Sequence, residues 1–166
     1  MTNMGYVPKD GFPYYFDLAG DMDCKLLFSS SSNLAFLDTI DEKKASYRYA
    51  PDKWSIKQVV GHMADHERIK IYRAFLLSRN QPGELWSYDQ LSLVENARFD
   101  ALPFQQLKND LLTVRKASHS FVDTLSKEQL KIKGMAGAYE ITLEDFLRSI
   151  IGHGVHHINM IKQRYM

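Results

Sequence analysis

Two histidines near the C-terminal end of the chain have the spacing of metal ligands. His153 and His157 lie four residues apart in the run Gly-His-Gly-Val-His-His. If this segment is helical, both imidazoles project from one face, one turn apart, and could bind the same ion. The same stripe carries Phe146, Ile150 and Ile161, so the two histidines replace core residues. A pair of hydrogen-bonded interior histidines is the alternative explanation of this spacing.

A third histidine, His62, lies far upstream in another segment with helical periodicity. It follows Ser55, a predicted helix start, by seven residues, just as His157 precedes Arg164 by seven residues. If the two helices are antiparallel, the three imidazoles meet at one level, whereas parallel helices would offset them by roughly 6 to 14 Å. Three His ligands leave a fourth position open, as in catalytic zinc sites. Water bound there has a pKa of about 7 and can be replaced by a substrate thiolate or carbonyl.

Three further residues are candidates for roles around this centre. His66 follows His62 by one turn and would give a closed four-His site if its side chain turned inward. His156 points about 100° away from His157, so we expect it at the surface or behind the ligands. Arg73 lies on the same flank as His62 and could bind a substrate carboxylate, with a surface salt bridge as the alternative.

The composition is that of an ordinary soluble protein. With 166 residues, 45% hydrophobic and 25% charged, the sequence predicts one domain spanning 1–166. The net charge of +1 gives no electrostatic reason to expect nucleic acid or an anionic membrane as a partner. There is no long apolar run and no signal-peptide pattern, and the single Cys24 excludes an internal disulfide, so we expect a cytoplasmic location. The oligomeric state is left open, with a homodimer among the options.

Hydrophobic periodicity predicts four amphipathic helices, over about 21–40, 55–79, 103–125 and 142–165. In the first of these, Cys24 lies well off the predicted inward stripe, on the side of Phe28; the stripe consists of Met22, Leu26, Ser29 or Ser30, Asn33, Leu37 and Ile40. Residues 1–17 contain two prolines and two glycines, so we expect a non-helical arm packed on the other helices. Capping-box pairs open the second helix and a short turn at residue 126.

These elements predict an all-α fold, a four-helix bundle with up-down-down-up topology. Antiparallel second and fourth helices require the second and third to run in the same direction, which only a long crossover permits. Residues 80–102 supply that crossover, with one helical turn expected near 88–94. We expect the crossover to form one wall of a pocket that ends at the metal. The alternative is that its large apolar side chains merely roof the core; they are Leu85, Trp86, Tyr88, Leu91 and Phe99.

Two motifs carry a resemblance to a known family. The segment from Tyr47 to Ser55 reads Tyr-Arg-Tyr-Ala-Pro-Asp-Lys-Trp-Ser and runs into the helix that contains His62. The segment from Ile151 to His157 reads Ile-Gly-His-Gly-Val-His-His. Both resemble the DinB/YfiT-like superfamily of metal-binding four-helix proteins, and the likeness covers nearly the whole chain.

The resemblance implies that His62, His153 and His157 are the metal ligands, with zinc or nickel as the usual ion. The family includes thiol S-transferases and isomerases that use bacillithiol, mycothiol or glutathione. Gly154 stands where many relatives have Glu, so a carboxylate helper is missing from the motif.

Three functions remain open on the sequence alone. The first is a metal-dependent S-transferase with a low-molecular-weight thiol as co-substrate. The second is a metal-dependent hydrolase that acts on a small molecule through metal-bound water. The third is a metal-stabilised binding or stress protein without catalysis.

Overall fold

The computed structural model describes residues 6–81, 88–136 and 139–166. In chain order the helices are α1 (Phe12–Ala19), α2 (Cys24–Ser29), α3 (Glu42–Ala45), α4 (Ile56–Ser78), α5 (Gln90–Ala97), α6 (Phe104–Asp123), α7 (Lys127–Leu130) and α8 (Leu143–Arg164). Short 3-10 helices cover Pro8–Asp10, Ala35–Thr39 and Phe99–Ala101. Strands β1 (Lys133–Ala136) and β2 (Tyr139–Thr142) form an antiparallel pair before α8, between the third and fourth predicted helices.

Helices α4 and α8 run antiparallel. The Tyr165 hydroxyl, just past the end of α8, donates to the Trp54 carbonyl oxygen before the start of α4 at 2.7 Å. At the opposite end, Lys70 Nζ lies 5.4 Å from the centroid of the Phe146 ring. These contacts bring the middle of α4 against the middle of α8, where the predicted metal histidines lie.

Helix α6 runs in the same direction as α4. Arg68 of α4 pairs with Asp110 of α6. Further along both helices, Phe75 of α4 lies against Phe121 of α6, with ring centroids 6.0 Å apart. The predicted bundle is confirmed, and its long crossover joins the second and third predicted helices, which are α4 and α6. Crossover residue Phe99 packs into the core, against the face of α4.

The first predicted helix, over 21–40, is wrong as a continuous element. Helix α2 ends at Ser29, and the chain resumes helical geometry only in the 3-10 helix Ala35–Thr39. The break coincides with four consecutive serines, 29–32. Ser30 and Ser32 hydrogen-bond to each other through their hydroxyls at 2.9 Å, and Ser30 has extended backbone geometry. Serine side chains compete for local hydrogen bonds and so favour turns over helix interiors.

The predicted inward face is also wrong for the first half of this segment, whereas Leu37 and Ile40 at its end are buried as expected. Met22 and Leu26 are 54% and 58% exposed, whereas Cys24 and Phe28 are buried. The expected stripe assumed that residues 21–40 form one continuous helix, so that all inward positions follow a single 3.6-residue repeat. Because α2 spans six residues and is capped by the Asp23 carboxylate, its phase is set by that short element alone.

The N-terminal segment contains a helix, contrary to the predicted non-helical arm. Helix α1 begins at Phe12, and Pro13 occupies its first turn, where the missing N–H is not needed. The predicted packing of this segment is present, because α1 lies along α8. A Cβ added at Gly152 would lie 1.7 Å from the Tyr15 carbonyl oxygen, so the two backbones approach each other through the missing side chain.

The apolar interior forms two clusters with a polar layer between them. On α8, Ile150 and Ile151 belong to one cluster, and Ile158 and Ile161 belong to the other. The two predicted metal histidines of this helix lie between those pairs. No helix in the described part of the chain is both long and apolar enough to cross a bilayer.

Candidate metal centre

The structure brings the three predicted metal ligands together. One ligand nitrogen from each of His62, His153 and His157 lies within 4.8 Å of the others, and all three residues are buried. His153 Nε2 lies 3.3 Å from His62 Nε2 and 3.1 Å from His157 Nε2. His62 comes from α4 and the other two from α8, so the antiparallel pairing of these helices assembles the cluster.

The spacing of these nitrogens fits a divalent ion. Imidazole nitrogens bound to one tetrahedral zinc at about 2.0–2.1 Å lie about 3.3 Å apart, close to the separations observed. Hydrogen bonding alone satisfies the cluster poorly. The single Nε2 of His153 carries either a proton or a lone pair, yet it faces two other Nε2 atoms. A cation can accept all three lone pairs together.

Burial keeps these imidazoles neutral. It lowers the pKa of His62 to about 4. Burial, followed by the neighbouring histidines, also lowers the pKa values of His153 and His157 well below their ordinary value. Neutral imidazole is the form that binds a metal, so the lone pairs are available near neutral pH.

His66 lies beside the cluster and outside the group of three. Its ring stacks on His153, with centroids 3.6 Å apart and an interplanar angle of 13°. Its Nδ1 lies 2.6 Å from the Tyr88 hydroxyl and shares a hydrogen bond with it. His66 therefore packs against His153, one of the predicted ligands, and connects it to the crossover. This differs from the closed four-His arrangement, in which His66 would itself be a ligand.

Helix α1 covers the other side of the cluster. The Tyr14 hydroxyl lies 2.9 Å from His156 Nδ1, and the Tyr15 ring meets His153 edge-on with centroids 5.2 Å apart. His156 is half-buried and lies behind His157, as predicted from its angular position. The sequence predicted that this segment packs on the other helices, but nothing local specified that Tyr15 would be the side chain that reaches His153.

The carboxylates nearest in sequence to His62 and His66 are engaged elsewhere. Glu67 is buried and forms a two-pronged ion pair with Arg115, with nitrogen–oxygen distances of 2.8 to 3.1 Å. Asp65 pairs with Arg68 at 3.2 Å. In the described residues, no carboxylate joins the three imidazoles as a possible ligand.

Arg73 lies beside the crossover, with its Cζ 5.7 Å from the centroid of the Tyr88 ring.

Two residues near the histidines were not singled out from the sequence. The Trp54 ring lies against His62 with centroids 4.9 Å apart. Lys70 is half-buried, and its spacing of four residues after His66 is the signal that could have found it.

Among the crossover residues predicted to form one wall of a pocket, Tyr88 contacts the site through His66. Leu91 is 57% exposed. Leu85 and Trp86 lie outside the described residues. The pocket ending at the metal therefore stays a prediction.

The fold and this cluster define a helical bundle with a buried three-histidine centre. The sequence matches the DinB superfamily over residues 28–161, and the chain belongs to that family. The resemblance seen in the two motifs is thereby confirmed. No curated protein matches the sequence.

Among solved structures, the chain is similar to YfiT from Bacillus subtilis, with a TM-score of 0.70 and 19% identity. The match covers 95% of this chain and 87% of that one. YfiT is described as a probable metal-dependent hydrolase with an unusual four-helix bundle topology. At this identity the likeness supports the fold.

Proposed function

We propose that this protein is a metal-dependent enzyme that transfers a small-molecule thiol to an electrophilic substrate. His62, His153 and His157 are the proposed ligands of one divalent ion. The observation that carries the proposal is the convergence of their three buried ligand nitrogens within 4.8 Å of one another. A three-ligand set leaves one position for substrate, as in catalytic zinc sites.

When bound, the ion supplies a Lewis acid that lowers the pKa of a thiol or a water in the open position. In the transfer, the thiol gives up its proton to solvent and its sulfur forms a bond to an electrophilic carbon. The leaving group departs with the electron pair of the broken bond. The chain contributes neutral imidazoles that are already in place, held by the rings of Trp54, His66 and Tyr15 packed against them.

The surroundings of the cluster favour thiol transfer over hydrolysis. A free thiol ionises near pH 8.5, so a modest lowering of its pKa generates the nucleophile without a general base. Hydrolysis gains more from a carboxylate that accepts a proton from water. Glu67 and Asp65 are paired with arginines, and Gly154 offers no side chain.

Metal-dependent hydrolysis is the second candidate. It is favoured by the structural similarity to YfiT, which is described as a probable metal-dependent hydrolase. A water in the open position would then be the nucleophile.

A single assay separates the candidates. Protein loaded with zinc or nickel is incubated with monochlorobimane and glutathione, bacillithiol or mycothiol, and in parallel with ester and amide substrates. We expect the bimane–thiol conjugate to form with the loaded protein, and not with His157→Ala or after chelation. Hydrolysis without thiol consumption would support the second candidate. Stoichiometric metal without either turnover would contradict both and indicate a metal-stabilised binding protein.

The proposal has several finer parts. The ion is zinc or nickel, and the chain acts as one domain in the cytoplasm on a small molecule, without nucleic acid. A homodimer stays a prediction, to be checked by sedimentation equilibrium.

A further inference from the structure

One face of α4 continues from the metal centre as a row of basic side chains. His66, Lys70 and Arg73 are spaced by four and three residues and so share that face. The His66 ring stacks on His153. Lys70 lies one turn beyond His66, about 6 Å along the helix axis. From α8, the Phe146 ring lies 5.4 Å from Lys70 Nζ.

Lys70 is a half-buried amine on this face. No Asp or Glu in the described part of the chain forms an ion pair with Lys70. Burial, and then the positive charge of Arg73, lower the pKa of Lys70 to about 8. The contact with the Phe146 ring offsets only part of the cost of removing an ammonium from water. An anion bound beside Lys70 would offset the remainder.

The crossover reaches the same face. The Tyr88 hydroxyl bonds to His66, and the Tyr88 ring lies against Arg73. Tyr88 therefore lies between the level of the metal centre and the level of the two cations. A molecule extending from the histidines along α4 would pass this side chain.

We propose that Lys70, with Arg73 beside it, binds an anionic group of the substrate whose other end reaches the His62–His153–His157 centre. This rests on the proposed function, which supplies the thiol end of the molecule. The substrate class is then a thiol that carries a carboxylate or phosphate about 6 to 12 Å from its sulfur, which is the rise from His66 or from His62 to Lys70 along α4.

The test uses calorimetric titration of the zinc-loaded full-length protein with 6-mercaptohexanoate and 6-mercaptohexanol, which differ only in the terminal charge. A third ligand, 6-mercaptohexyl phosphonate, distinguishes phosphate recognition from carboxylate recognition. A hydrogen bond to a charged group predicts about tenfold tighter binding of the preferred anion than of the alcohol. Lys70→Met should remove that advantage and leave zinc content and affinity for the alcohol unchanged.

Two further variants control for charge and packing. Lys70→Arg should keep the preference for an anion. Lys127→Met removes the same charge from the exposed surface of α7 and should also keep it. Equal affinities of the wild type for the alcohol and both anions, or a preference that survives Lys70→Met, would overturn the proposal.

The proposed anion site at Lys70 can fail separately from the proposed function. If none of the three thiols binds, the thiol chemistry fails. Titration of the same protein with hexanoate and hexanol then tests the anion site at Lys70. Binding of hexanoate that depends on Lys70 supports the anion site, and absence of hexanoate binding overturns it.

Discussion

At the scale of single residues, burial determines what the histidines can do. An exposed imidazole is partly protonated near pH 6.5 and competes poorly for a metal. His62, His153 and His157 are at most 7% exposed, and burial holds their pKa values below that range. Three neutral donors therefore face one another without mutual charge repulsion at neutral pH.

The first prediction follows from this ligand count. The protein as isolated should carry about one divalent ion per chain, and His153→Ala or His157→Ala should abolish binding, because two remaining ligands hold a divalent ion poorly. Elemental analysis of the purified variants measures this.

His119→Ala provides the matched control. His119 is half-buried on α6, outside the group of three. Its replacement should leave the metal content unchanged. Unchanged metal in both His153→Ala and His157→Ala would refute the assignment of the ligands.

At the scale of elements, the contact of α1 with α8 depends on one missing side chain. The Tyr15 carbonyl oxygen occupies the space where a Cβ on Gly152 would lie. This close approach brings Tyr14 to His156 and Tyr15 to His153. A glycine inside a helix costs about 1 kcal/mol relative to alanine, and here that cost permits α1 to cover the histidine cluster.

The second prediction concerns that contact. Gly152→Ala should lower the free energy of unfolding by about 1 to 3 kcal/mol, because the backbone of α1 must move away. Urea denaturation measures the change. Metal content should persist, since α1 supplies none of the three proposed ligands.

Gly154→Ala is the control within the same helix. Apart from the helix's own backbone, the atoms nearest to a Cβ there are Arg115 Nη2 and Met63 Cε, both at 3.8 Å, which is ordinary contact. Its stability should be unchanged, or higher by up to about 1 kcal/mol from helix propensity. Equal effects of the two substitutions would show that the backbone contact at Gly152 is unimportant.

At the scale of the whole molecule, the polar layer couples stability to pH. The pKa of His62 is about 4 in the folded protein and about 6.5 in the unfolded chain. Between these values the unfolded chain binds a proton that the folded protein does not, so stability falls as the pH falls through this window.

The third prediction is that the metal-free protein loses stability between pH 7 and pH 5. His62 alone accounts for about 2 kcal/mol of that loss, and His153 and His157 act in the same direction. Denaturant unfolding after removal of metal by a chelator tests this. Equal stability at the two pH values would contradict the burial-driven lowering of these pKa values.

Much of the bundle and the grouping of the histidines could be predicted from the sequence. The long helices and the start of α4 at the Ser55 capping box follow from local periodicity and caps. The convergence of His62 with His153 and His157 required in addition that the two helices pair antiparallel. A helical stripe repeats every 3.6 residues, so it fixes which side chains share a face without reference to other elements.

What the sequence did not determine depends on contacts between distant segments. The break after α2, the helix at Phe12 and the burial of Lys70 each reflect a balance between weak local preference and packing. Local spacing therefore determined that His153 and His157 share one face of a helix and that His62 lies at a matching distance from the end of another. The sequence pointed to the N-terminal segment and the crossover as neighbours of the histidines, but tertiary packing decided that Tyr15 and Tyr88 are the side chains that contact them, because local periodicity does not specify contacts between distant segments.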